Sequence, residues 1–209
     1  MKQHSIPGHE TDTYLTPPTN PQKLKKLKVA NSPGDLVWKK AEHEKYFETV
    51  MVHMHGGGFV GMSSSSHQNY LIPWAKELKI PIFSIDYRLA PETQYPAVVN
   101  DVINAYIWVL YFVEQILKIK IHNLIVTGDS AGGNLTMVLT NWCIVNNIRK
   151  PDFIFPHYPA CTMDFGRYYT PSFLFSWDDP FLNYSTMRMC CKYYVPHDID
   201  ASADCYLSP

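Results

Sequence analysis

The 209-residue sequence predicts an α/β fold, a mostly parallel β-sheet with helices on both faces. Three observations predict it. From Thr49 onward, short apolar runs alternate with longer stretches whose apolar residues fall at helical spacing. Two of the runs end in glycine-rich turns, His55-Gly56-Gly57-Gly58 and Gly128-Asp129-Ser130-Ala131-Gly132-Gly133. Hydrophobic residues make up 46% of the chain, enough for the core of one domain. Strand–helix units repeated in this order share one handedness and gather ligands at the carboxyl ends of the strands, where both glycine turns fall.

Taken in order, residues 1–48 read as an irregular arm, with Pro7, Pro17, Pro18 and Pro21 set among polar residues. Within it, Lys23, Lys25, Lys26 and Lys28 alternate with Leu24 and Leu27. That run fits a solvated face, the commoner case, or peripheral contact with an anionic lipid surface. Residues 49–209 read as the α/β domain. Val50–Met54 is its first strand. The serine tract Ser63–Ser66 is expected to cap a helix covering His67–Leu78. Pro81–Ile85 is a buried strand, and Val98, Val99, Val102, Ile103, Tyr106, Ile107 and Leu110 mark one apolar helix face. Leu124–Thr127 follows as a strand, Ala131–Asn146 as a helix and Phe153–Tyr158 as another strand. Residues 160–209 break into loops and short helices rich in aromatics: Phe165, Tyr168, Tyr169, Phe173, Phe175, Trp177 and Phe181. They fit a lid or acyl-chain wall as well as they fit ordinary core.

The second glycine turn carries Gly-x-Ser-x-Gly between a strand and a helix, the setting in which that pattern does chemistry. A sharp turn lifts the Ser130 hydroxyl clear of the sheet. The helix behind it aims backbone N–H groups at an anion forming in front. Ester hydrolysis passes through such an oxyanion, and a glycine run lets backbone donors reach it. A serine turn and a separate glycine run, each at a strand end, are the two halves of one acyl-transfer site. Ser130 is the candidate nucleophile and needs a histidine base oriented by an acid.

Three segments together carry a family resemblance: His55-Gly56-Gly57-Gly58-Phe59, Asp86-Tyr87-Arg88-Leu89-Ala90-Pro91-Glu92 and Gly128-Asp129-Ser130-Ala131-Gly132-Gly133-Asn134. The chain resembles the hormone-sensitive lipase family of α/β-hydrolases from about Val50 to Pro209. Ser64-Ser65-Ser66-His67, Trp74–Leu78 and Pro81–Tyr87 are similar to the animal-type branch of that family. The resemblance implies an α/β-hydrolase fold and a serine lipase or esterase acting on acylglycerols or related lipid esters. It implies oxyanion donors at the N–H groups of Gly57, Gly58 and Ala131. It gives His55 a structural role in the glycine loop, and puts Asp86 and Arg88 in the site's surroundings. Asp129 reads as a structural hydrogen-bonding residue, with a role at the leaving alcohol as the alternative.

In the family, the triad acid and histidine follow the serine after two further strands, in Asp-Pro-Leu-like and His-Gly segments that this chain lacks. Tyr206-Leu207-Ser208-Pro209 resembles the sequence just ahead of the strand leading to the acid. The expectation is therefore a partial α/β-hydrolase domain lacking its last strands, from a truncated chain. Asp179, His197 and His157 are poor substitutes: Asp179-Pro180 matches a different Asp-Pro of the family, no strand precedes His197, and His157 reads as packing. A second reading is a catalytically inactive, hydrolase-like binding protein, since family relatives such as the gibberellin receptor keep the glycine motifs and lose the histidine. A small-ester esterase of the same family differs only in pocket length.

Charge is near balance, 18 Lys+Arg against 19 Asp+Glu, which excludes a nucleic-acid footprint. The five cysteines are odd in number and form no C-x-x-C, so reduced, buried thiols are expected. His53 and His55 share a strand face, but the sequence places no third metal ligand near them, and no metal or cofactor is expected. The sequon Asn134-Leu135-Thr136 lies in the helix behind Ser130 and reads as accidental. The apolar stretch Val102–Leu117, broken by Asn104, Glu114 and Gln115, reads as too short and polar for a transmembrane span. No signal peptide is visible, and a cytoplasmic protein is expected.

Overall fold

Alternating apolar residues in the strand segments place Val50, Val52 and Met54 on one side and Met51 and His53 on the other. The computed structural model, which describes residues 48–164 and 170–209, builds a sheet on that alternation. Strands β1 (Thr49–Met54), β2 (Ile82–Ile85), β3 (Asn123–Asp129) and β4 (Phe153–His157) lie in the order β2-β1-β3-β4, and every neighbouring pair is parallel. The arm at residues 1–47, its lysine run, and Phe165, Tyr168 and Tyr169 lie outside the described residues.

Parallel neighbours need crossovers, and helices supply them. They are α1 (Gln68–Leu78), α2 (Ala97–Leu117) and α3 (Ala131–Val145). Val50, Val52, Met54, Leu124 and Val126, all 0% exposed, join Val98, Val102, Ile103, Leu135 and Leu139 in one core cluster. Each such side chain contributes about 1.5–3 kcal/mol of hydrophobic stabilisation. The opposite face meets α1, where Tyr70 bonds to His53 and Trp74 stands over His157. Helices therefore cover both faces, as the sequence predicts.

The register decides where the chemistry falls. Met54 pairs with Ile85 on one side and Gly128 on the other, so the glycine loop after β1 and the serine turn after β3 emerge side by side. Beyond β4 come two short helices, α4 (Pro171–Phe175) and α5 (Tyr184–Tyr194). The chain then turns back, burying Tyr206 and Leu207 in the core.

Several expectations are corrected. The serine tract does not cap α1: Ser64–His67 forms a 3₁₀ turn, and no side chain caps the helix that follows. Ser64 turns instead to Asp86, which accepts from its N–H at 2.7 Å and its hydroxyl at 2.8 Å. Helix α2 runs 21 residues and is not too short or polar for a span: it is long and apolar enough by length and composition to cross a membrane. It lies on the sheet, with Val98, Val99, Val102, Ile103, Tyr106, Val109 and Val113 buried against the core. The five cysteines are free, but only Cys143 is buried, while Cys161 and Cys205 are exposed. The aromatic segment divides. Tyr194 is fully buried, whereas Phe175 and Phe181 are 92% and 91% exposed.

Candidate active site

Ser130 sits between β3 and α3 with φ 53° and ψ −112°, backbone that a residue with a side chain rarely adopts. The turn is fixed from both ends. The Ser130 N–H donates to the His157 carbonyl at 3.0 Å, and the Ser130 carbonyl accepts from Asn134 and Ala160. Gly132 lets the helix come this close, because a Cβ there would lie 2.8 Å from the His55 carbonyl oxygen. Asn134, 1% exposed, donates to the carbonyls of Ala160 and Leu207, binding the returning chain beneath the serine turn. Its amide is closed to glycosylation in the folded chain.

The glycine loop faces this turn. Gly57 takes φ 114°, and its carbonyl accepts from Val60 and Gly61 in a tight turn. His55, 1% exposed, donates from Nδ1 to the Gly56 carbonyl at 2.6 Å and stacks on Tyr87 at 4.1 Å. Tyr87 returns a bond from its hydroxyl to the His55 carbonyl. Burial lowers the His55 pKa, which favours the neutral ring that this bonding uses. Behind the loop, Phe59 stacks on Tyr194 of α5 at 3.8 Å, and Cys190 closes over Gly58, its Sγ 2.6 Å from where a Cβ would stand. The inner face of α5 is thus the wall of the glycine loop.

No acceptor among the described residues takes the N–H groups of Gly57, Gly58 or Ala131. Ala131 opens α3, so its N–H belongs to the first turn, which has no carbonyl of its own helix to pair with. Backbone donors without an acceptor and a strained serine thus lie at neighbouring strand ends, the setting in which a negative oxygen can be held. Ser130 Oγ itself has no hydrogen-bond partner among the described residues.

The other sequence candidates take different places. His157, on the exposed end of β4, borders an open cleft of about 320 Å³ with Met51, Trp74 and Phe155 rather than packing in the core. Asp179 accepts the N–H groups of Phe181 and Leu182, closing a turn. Arg88 forms a forked pair with Asp101 at 2.8 Å per bond, tying its loop to α2 rather than to the site. His67 is the residue that the motif reading overlooks. It arrives from the serine tract between His53 and His55, with ring centroids 5.5 and 5.8 Å away. These rings face hydroxyls, carbonyls and Asp129, and no cluster among the described residues could hold a metal ion.

Parallel sheet order, strained serine turn and glycine loop together define the α/β-hydrolase class. A family profile described as alpha/beta hydrolase fold matches residues 51–209, and the chain belongs to that family. Hormone-sensitive lipase of Mus musculus is 40% identical over 145 residues, covering 69% of this chain and 19% of the mouse protein. The Homo sapiens lipase is 36% identical over 83% of this chain and 16% of its own length. A carboxylesterase of Mycobacterium tuberculosis is 32% identical over 70% of this chain and 45% of its own. An ester hydrolase from the metagenome of Lake Arreo, solved with a bipyridine phosphonate derivative, superposes with TM-score 0.70 at 32% identity, covering 77% of this chain and 49% of that one. The hyperthermophilic esterase of Pyrobaculum calidifontis gives TM-score 0.70 at 27% identity, over 80% and 54%. The chain spans about half the length of these solved esterases and under a quarter of the lipases.

Proposed function

We propose that this chain carries the nucleophile and oxyanion donors of a serine carboxylic-ester hydrolase acting on acylglycerols or related lipid esters. One observation supports this most: the N–H groups of Gly57, Gly58 and Ala131 are unpaired among the described residues, in the loop and helix start that adjoin a serine held in strained backbone. Ser130 Oγ bonds to the ester carbonyl carbon while its proton passes to a base. The carbonyl oxygen becomes an oxyanion facing the three amides. Collapse breaks the bond to the alcohol, which leaves with a proton, and water then cleaves the acyl-serine. Relatives named as lipases and carboxylesterases support the reaction class.

The test is an organophosphonate ester, the inhibitor chemistry found on the Lake Arreo hydrolase. With a histidine base in reach, the wild-type protein is expected to gain one adduct at Ser130, and Ser130→Ala none. Labelling that persists in the variant sinks the assignment.

A second reading is favoured by the unpartnered Ser130 Oγ: a binding protein that holds an ester or acid in the same pocket without turning it over. It is distinguished by stoichiometric retention of the intact ester with no alcohol released.

A further inference from the structure

Asp129 immediately precedes the nucleophile, yet its carboxylate is engaged by the glycine loop and the start of α1. Oδ1 accepts the Gly56 N–H at 3.1 Å and the Tyr70 hydroxyl at 3.1 Å. His67 Nε2 lies 3.2 Å from each carboxylate oxygen. His53 Nε2 stands 3.7 Å from Oδ1 and 2.9 Å from the Tyr70 oxygen, while its Nδ1 meets Ser84 Oγ at 2.9 Å. The side chain is only 14% exposed.

Donor counting fixes the roles. His67 Nδ1 faces the Ser63 carbonyl at 3.1 Å, so it donates there. Tyr70 gives its hydroxyl proton to Asp129. The Gly56 N–H and the Tyr70 O–H both donate to Oδ1, a pair of bonds that an ionised carboxylate accepts most strongly, and the Gly56 N–H also lies 3.3 Å from His67 Nε2. Gly56 is itself shaped for this contact, since a Cβ there would overlap the Asp129 carboxylate. With its acceptors turned to the loop, Asp129 does not serve the leaving alcohol.

We infer that Asp129 is a positioning residue: its carboxylate, held by His67 and Tyr70, clamps the Gly56 amide and so sets the distance between the Gly57–Gly58 donors and Ser130. Its meaning for catalysis rests on the hydrolase reading above; the clamp itself does not. Burial would raise the Asp129 pKa, but the His53 ring 3.7 Å away, His67 beside the carboxylate and the hydrogen bond from Tyr70 bring it down to about 2.

Asp129→Asn is the sharp variant. It keeps the shape and removes the negative charge that the Gly56 N–H and the Tyr70 O–H meet, leaving one neutral acceptor oxygen. In the full 209-residue chain, amide hydrogen exchange at Gly56, Val60 and Gly61, the hydrogen-bonded amides of the loop, is expected to accelerate at least about tenfold, with exchange at Val52 and Val126 unchanged. Unchanged loop exchange overturns the inference, and so does equal acceleration across the sheet. Tyr70→Phe removes a single donor and keeps the test usable if Asp129→Asn does not fold. It is expected to speed the same three amides by a smaller factor, and no change overturns the clamp. Where the wild type hydrolyses a p-nitrophenyl ester, Asp129→Asn should lower kcat by roughly 10²-fold with KM nearly constant, the signature of displaced oxyanion donors. A change confined to KM overturns the positioning role. A wild type with no Ser130-dependent turnover counts against the hydrolase reading, and the exchange measurement still decides the clamp.

Discussion

Gly57 combines φ 114° with backbone contact, because a Cβ there would run into the Gly61 carbonyl. Gly57→Ala is therefore expected to shift the loop as well as to weaken one donor. The kcat loss should be on the order of 10²–10³ or larger, with the far-UV spectrum unchanged; an unaltered kcat would locate the oxyanion elsewhere. Asp129 makes a pH test at the same scale. Its pKa in the fold, about 2, lies below the ordinary carboxylate value of 3.8. The stabilisation is thus complete above pH 4 and is lost as pH falls toward 2, on the order of 2 kcal/mol in all. Chemical unfolding across that window should show a larger loss in wild type than in Asp129→Asn, where Asp86 still titrates, with His53, His67, Tyr70 and Tyr158 the other titratable groups facing the Asp129 carboxylate. Ser130 and the glycines are legible in the sequence because each motif needs a particular residue at a particular turn. His67 is not, because its partner Asp129 lies 62 residues away and only the sheet register brings them together.

At the scale of elements, α3 joins the serine turn to the core, and Leu135 is 0% exposed. Leu135→Ala should cost about 2–5 kcal/mol, read as a lowered midpoint in denaturant. Strand β4 behaves differently. It borders the sheet with Phe153 and Phe155 55% and 52% exposed, an apolar edge open to another chain. Concentration-dependent association in size exclusion is expected, and Phe155→Lys should reduce it; a monomer at all concentrations would contradict this. The strands could be read in advance because each is an apolar run stopped by glycine, proline or a polar turn. The start of α2 could be read too, because Val98 and Val99 already carry its apolar face although Asn100 and Asp101 follow them. The serine tract misleads because Ser64 has a carboxylate within reach at Asp86, and that bond wins over a cap.

For the molecule as a whole, the serine turn and the glycine loop lie at neighbouring strand ends while Ser130 Oγ has no partner among the described residues. A serine without a base is a weak nucleophile, so the purified chain should turn over a p-nitrophenyl ester roughly 10⁴-fold more slowly than an intact triad enzyme. Ser130→Ala is the control, and full-rate, Ser130-dependent turnover would mean that His157 or His197 reaches the serine after all. The strand order β2-β1-β3-β4 bears on something else, the order in which the chain can fold while it is being made. β1 and β2 leave the ribosome first and pair with each other; β3 then joins the free side of β1, and β4 the free side of β3. Among the described residues no strand after the first waits for a later one to find a neighbour, so synthesis and sheet growth run in the same direction. Nascent chains halted with Lys118, Asn146 or Pro209 just clear of the exit tunnel should gain protease resistance in three steps. The carbonyl that fixes the Ser130 amide belongs to His157, so the nucleophile settles only in the last of them.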